Sequence, residues 1–269
     1  MSNTALRGEL RAVKRGPGRL IVLARRYAAA LTLMLIILIA LEAGLRAFQV
    51  PAYLVPPPSR VLARLLAPGD LLAHAGATAT AASAGLFAGT LAGFGLAAAF
   101  VHLRLLEDAL YPWVLVSQAV PAAALAPLLT IWLGDGLAPR AAMAALFAFF
   151  PILVATTRGL RDVSPEHLAL MRAWGASPWQ TFRHLRLPAS LPALFSGLKI
   201  AAALAVVGAI VSELAGSGRG LGFVVSVAAY HLRTDQIFAA VIIAAAISLG
   251  LHGLLVLAER FIVFWRRQG

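Results

Sequence analysis

The chain contains no cysteine and few acids, with 11 Asp and Glu against 23 Lys and Arg in 269 residues. The first absence excludes a disulfide framework and a thiolate metal site, and leaves the redox compartment unread. Charge of either sign is scarce, at 13% of residues, where a soluble domain carries about 25%. No Gly-rich loop is followed by Lys-Ser/Thr; Gly216 to Gly222 lacks that ending and misses the dinucleotide spacing, so a nucleotide reading fails. The six histidines show no ligand spacing, and no catalytic constellation is visible. These absences predict no catalytic residue, no cofactor on this chain and no metal site.

What is present is apolar: 61% hydrophobic residues and a mean hydropathy of +0.85. Six runs approach the roughly 20 residues needed to cross a bilayer, near 27–45, 76–101, 109–133, 140–157, 193–214 and 236–258. The fold class expected is an all-α membrane protein with six transmembrane helices. The first run follows seven basic residues (Arg7, Arg11, Lys14, Arg15, Arg19, Arg25 and Arg26) and resembles a signal peptide in outline. That basic region is long for one, and the run extends to Leu45 with only Glu42 interrupting, so a retained span is the better reading. The loop from Arg46 to Ala75 holds Pro51, Pro56, Pro57 and Pro58 and is extended at its start. Gly85, Gly89 and Gly93 recur every four residues, a spacing that lets helices approach closely in lipid.

A net charge of +12 is the kind of excess that nucleic-acid binding uses, but the cations cluster at the ends of apolar runs, which points to a bilayer. With the N-terminus inside, the inner segments hold the first seven, Arg104, Arg158, Arg161, Arg172, Arg183, Arg186, Lys199, Arg260, Arg266 and Arg267, a total of 17. The outer segments hold six: Arg46, Arg60, Arg64, Arg140, Arg219 and Arg233. The excess places both termini in the cytoplasm.

The loop between the fourth and fifth runs reads as two short helices joined at a glycine. Ser164 is a natural N-cap with Pro165 at the first helical position, and Gly175 suits the left-handed residue that ends the first helix. Ser177, Pro178 and Gln180 supply a cap, a first position and a capping box for the second helix, which Pro188 is expected to stop.

This loop resembles the coupling segment of binding-protein-dependent ABC importer permeases: Glu-Ala-Ala, three residues, Gly, nine residues, Ile-x-Leu-Pro. Gly175 takes the glycine position, and Leu185-x-Leu187-Pro188 takes the end. Ala169-Leu170-Met171 stands in place of Glu-Ala-Ala, and Glu166, one turn earlier, could substitute in part for the missing acid. Leu54 to Leu62, Ala119 to Pro127, Ile131 to Gly134, Ser212-Glu213-Leu214 and Gly218 to Gly222 are similar, in order, to segments of the taurine, nitrate and sulfonate branch.

The resemblance implies a type I importer permease fold: a basic segment 1–26, a permease domain 27–258 with a coupling loop at 158–192, and a basic tail 259–269. It implies a homodimer, two ATPase subunits carrying the ATP and Mg, and an extracytoplasmic solute-binding protein, in a bacterial inner membrane. Glu166, Ala169, Leu170, Met171, Gly175, Ala176, Ser177, Leu185, Leu187 and Pro188 would face the ATPase. The third to fifth spans would line the pathway for a sulfonate- or nitrate-like anion or a vitamin-precursor heterocycle, with a lean to a thiamine-precursor pyrimidine.

Ser117, Gln118, Pro121, Ser212 and Glu213 are candidates for the pathway. Glu213 would lie at its mouth or anchor the interface, and Ser117 and Gln118 would meet solute or bond a neighbouring helix. Lys199 is expected to snorkel to the headgroups. A stand-alone secondary transporter or channel would want ionisable groups in mid-span or inverted repeats, neither clearly present. A membrane-bound enzyme would want a catalytic cluster.

Overall fold

The computed structural model describes residues 18–265, so the basic residues before Gly18, together with Arg266 and Arg267, lie outside the described residues. The long apolar runs fold as helices, which satisfy their own backbone hydrogen bonds where no water is available. Every regular element among the described residues is helical, and five helices are long and apolar enough to cross a membrane.

The chain divides into two compact units, 1–60 and 61–269. In the first, α1 (Gly18–Ala47) carries the apolar stretch Ala28–Ala47. Leu31 to Leu41 leave their side chains exposed, as a lipid-facing helix would. Glu42, the one acid in this stretch, is used locally. It accepts from Arg46 Nε at 2.7 Å, from the Ser59 amide at 3.0 Å and from the Ser59 hydroxyl at 2.8 Å. A carboxylate is thereby set against the first turn of α2 (Pro58–Leu66), where the helix dipole favours negative charge.

In the second unit the elements are α3 (Leu71–His102), α4 (Arg104–Ser117), α5 (Ala122–Leu133), α6 (Leu137–Arg161), α7 (Pro165–Ala173), α8 (Pro178–Thr181), α9 (Leu187–Leu214), α10 (Leu221–Tyr230) and α11 (Thr234–Ile262). The centre is α6, packed between α3 and α9. The glycine stripe of α3 makes one contact: a Cβ at Gly89 would stand 2.8 Å from the Ala145 carbonyl oxygen, and one at Gly93 2.9 Å from that of Phe149. On the other side, a Cβ at Gly208 of α9 would stand 2.8 Å from the Met143 carbonyl oxygen. Backbone lies on backbone at both faces, the close approach that small residues permit in lipid.

Two expectations are corrected. The run 109–133 is not one helix: α4 ends at Ser117 and α5 begins at Ala122, with Pro121 extended (φ −61°, ψ 109°) as its N-cap. Proline disfavours helical backbone in the residue before it and brings no amide of its own, so the break falls at Val120–Pro121. Pro188 does not stop the second hairpin helix. A π turn, Phe182–Arg186, widens the helix so that the Leu187 amide bonds back to the Phe182 carbonyl, and α8 runs through it into α9. Proline has no amide to bond back and its ring crowds the carbonyl four residues earlier, and the wider turn gives that ring room.

Candidate functional site

The segment from Ser164 to Arg186 is built as its caps dictate. The Ser164 hydroxyl accepts from the His167 amide at 3.4 Å, opening α7. Glu166 lies in that first turn, and its carboxyl is held below the usual carboxylate range by its own backbone amide and then by the Ser164 hydroxyl. The helix closes in a Schellman motif: Gly175 N–H donates to Arg172 O and Ala176 N–H to Met171 O, both at 3.0 Å, with Gly175 at φ +68°. Both halves of the capping box form at α8, with Gln180 N–H on Ser177 Oγ at 3.2 Å and Ser177 N–H on Gln180 Oε1 at 2.7 Å.

Ala169, Leu170, Gly175 and Ser177 are exposed, as are Trp174 and Trp179, while Met171, Ala176, Leu185, Leu187 and Pro188 are half-buried. Two tryptophans are therefore exposed on an unburied, well-capped hairpin. Its root is fixed to the bundle. Phe182 is buried with an edge-on contact to His102 of α3, and Arg186 Nη1 donates to the Leu160 carbonyl of α6 at 3.0 Å. Lys199 does not snorkel freely; it pairs with Glu259 on α11, which neutralises both charges where the two helices pack.

The other end of the bundle holds a buried polar network. Glu213 is 1% exposed and Thr78 0%. The Thr78 hydroxyl lies 2.9 Å from both Glu213 carboxylate oxygens, to which it donates, and accepts the Leu221 amide at 2.8 Å. The Gly222 amide donates to Glu213 Oε2 at 2.9 Å and the Gly220 amide to His74 Nδ1 at 3.1 Å. Three side chains therefore receive the free amides at the start of α10, and the carboxylate sits where the helix dipole is positive. The buried Arg140 guanidinium is 4.0 Å from Glu213 Oε1. Gly220 is at φ +108°, and any Cβ there would run into the Glu213 carboxylate.

The other pathway candidates fall in two places. Ser117, Gln118 and Pro121 are exposed at the α4–α5 break, where Ser117 Oγ donates to Val114 O at 2.7 Å. Ser212 is buried beside Glu213 in the last turn of α9, its Oγ without a partner among the described residues. Among the described residues no three His, Asp or Glu side chains come together as a metal site would require.

Residues 85–264 match the family described as binding-protein-dependent transport system inner membrane component. The chain belongs to this family. The permease is 37% identical to the riboflavin transport system permease protein of Chloroflexus aurantiacus over 87% of its own length and 88% of that protein. It is 35% identical to the formylaminopyrimidine transport permease protein of Halalkalibacterium halodurans, over 64% of the chain and 69% of that protein. With the taurine transport system permease protein of Escherichia coli the identity is 30%, over 74% and 77%. An ABC transporter permease, multi-pass in the membrane, is thus established.

Sequence reasoning did not find the partners of Glu213. Thr78 lies 135 residues away, and a single threonine in an apolar run carries no pairing signal. The only available cue was the acid itself, costly in a span unless something receives it.

Proposed function

We propose that two copies of this permease form the pathway of an ATP-driven importer, with separate ATPase subunits docking on the 164–188 hairpin and a solute-binding protein delivering the solute outside. The observation that carries the reading is the helical continuity from Pro178 through the π turn to Leu214. Anything that displaces α8 displaces α9 with it, so no flexible loop dissipates the push. The α4 and α5 pair makes the further crossing, giving six, with both termini on the cytoplasmic side, an orientation that the 17 to 6 cation split supports.

Ser117, Gln118 and Pro121 line the pathway, since the α4–α5 break interrupts the helix and leaves the polar side chains of Ser117 and Gln118 exposed, an irregularity tolerated at membrane depth only in protein or along a wet cavity. Glu213 and Ser212 act beside it, holding the outer turn. The solute is a vitamin or vitamin-precursor heterocycle. Two relatives named for riboflavin and formylaminopyrimidine transport, at 37% and 35% identity, support this over the taurine relative at 30%. The test is reconstitution of the permease with its ATPase and solute-binding protein in proteoliposomes. Uptake of a pyrimidine or flavin that needs ATP and both partners is expected. Uptake driven by an ion gradient without ATP would refute the reading.

A further inference from the structure

At the hairpin end of the second unit, a cavity of about 440 Å³ opens between the ends of α3 and α6 and the π turn, lined by Phe100, Val101, His102, Arg104, Arg161 and Arg186. Its cations are only partly answered. Arg161 pairs with Glu107, whereas Arg104 is exposed and without an ion pair or hydrogen bond among the described residues. Arg186 commits one nitrogen, Nη1, to the Leu160 carbonyl, leaving the rest of its guanidinium unbonded. His102 engages only Nδ1, through Ala98 O, so Nε2 is open. Glu107 and Asp108 line the neighbouring cavity, which shares Arg104 and Arg161 with this one, but neither acid lines this cavity. Two guanidinium groups therefore stand in excess around a space large enough for a small ligand.

We propose that this cavity binds a phosphate group, supplied by the headgroup of an anionic phospholipid. Guanidinium forks match phosphate oxygens bidentately, and basic pockets between membrane helices suit anionic headgroups. The lining also changes character within a few residues, from apolar to cationic. Phe100 is buried and Val101 half-buried at one wall, followed at once by His102 and Arg104, with Arg161 and Arg186 opposite. A free anion would use only the rim, whereas a phospholipid offers phosphate and acyl carbon to both.

The test measures thermal stabilisation of the full chain in a neutral detergent as lipid is added, since a ligand that prefers the folded state raises the unfolding temperature in proportion to its saturation. Phosphatidylglycerol should stabilise; phosphatidylcholine and sodium phosphate at equal ionic strength should not. Arg104→Gln removes no ion pair or hydrogen bond among the described residues and should weaken phosphatidylglycerol binding about fivefold, and Arg104→Gln with Arg186→Gln about thirtyfold, at the affinity expected per basic residue near a lipid surface. Arg158→Gln, an exposed cation one turn before Arg161 that does not line the cavity, should stay within twofold. Full affinity in Arg104→Gln, equal stabilisation by phosphatidylcholine, or an equal loss in Arg158→Gln would overturn the site. A response to sodium phosphate matching that to the lipid would overturn the lipid assignment. So would loss of ATPase binding in Arg104→Gln with lipid affinity unchanged, which would give these arginines to the protein partner.

Discussion

Gly175 offers a substitution whose effect is purely conformational. It is exposed, at φ +68°, and a Cβ there would meet nothing within 4 Å. Crowding against neighbours is therefore absent, and any cost comes from the backbone alone. An L-residue in the left-handed region costs about 1–2 kcal/mol, and a β-branched one falls at the upper end of the roughly 1–3 kcal/mol of such strain. The two Schellman bonds, from Gly175 and Ala176, are what the strained chain would give up. Asparagine tolerates this region and should behave nearly as glycine. The expected order for transport coupling is Gly175 equal to Gly175→Asn, then Gly175→Ala, then Gly175→Val. A cost of 1.4 kcal/mol would lower the population of the intact hairpin relative to the frayed one about tenfold. All variants should insert and purify alike, because the spans do not depend on this turn. Uptake and binding-protein-stimulated ATP hydrolysis would be measured in proteoliposomes, with Ala173→Val as a helical control. If Gly175→Asn loses as much as Gly175→Val, the backbone argument is wrong; if neither loses anything, the hairpin does not transmit the stroke.

Four further outcomes are expected. Thr78→Val keeps the shape of the side chain but strands the Leu221 amide and removes a donor from Glu213; at about 1–3 kcal/mol per unsatisfied group, the melting temperature in detergent should fall by several degrees, and Thr78→Ser should recover most of it. Gly89→Leu should abolish the folded chain, since its Cβ alone would press on the Ala145 carbonyl at 2.8 Å, while Gly95→Leu on the same helix, with nothing within 4 Å, should be tolerated; equal yields of folded protein would contradict the interlocked packing. The absence of native cysteine gives a clean background for topology: an impermeant maleimide should label Arg233→Cys in intact cells but Glu166→Cys only after lysis, and the reverse pattern would invert the orientation. Because the Glu166 carboxyl is held below its ordinary range, its support of the α7 start is present above that range and is lost as pH falls through the depressed value; Ser164→Ala should move the titration upward, as followed by carboxyl NMR.

The spans and the hairpin were legible because their signals are local. Apolar length reports a span, and Ser-Pro, Gly and Ser-Pro-x-Gln each report one end of a short helix through a hydrogen bond within four residues. The break at Pro121 was half legible: the run 109–133 contains Pro112, Pro121 and Pro127 alike, and only the backbone shows that Pro112 and Pro127 sit inside helices while Pro121 interrupts them. Pro188 misled because a π turn leaves no mark in composition. The pairing of Lys199 with Glu259 and the seating of Glu213 against Thr78 join residues far apart in the chain, where one sequence alone contains no information on who meets whom.

The glycine contacts along α6 bear on how the molecule moves. Where two helices meet through side chains, rotamers can change and the helices can slide; where main chain meets main chain, nothing between them can yield. Helices α3, α6 and α9 therefore form a plate without slack, and any rearrangement within this unit must be carried by what surrounds it. The short α4 and α5, separated by Pro121 and each lacking the length to cross alone, put a break in a long apolar run at the side of that plate, with α4 tied back to α6 by Arg161 and Glu107. A stiff plate with a jointed edge would open, if it opens within the unit, at the joint and not across the plate.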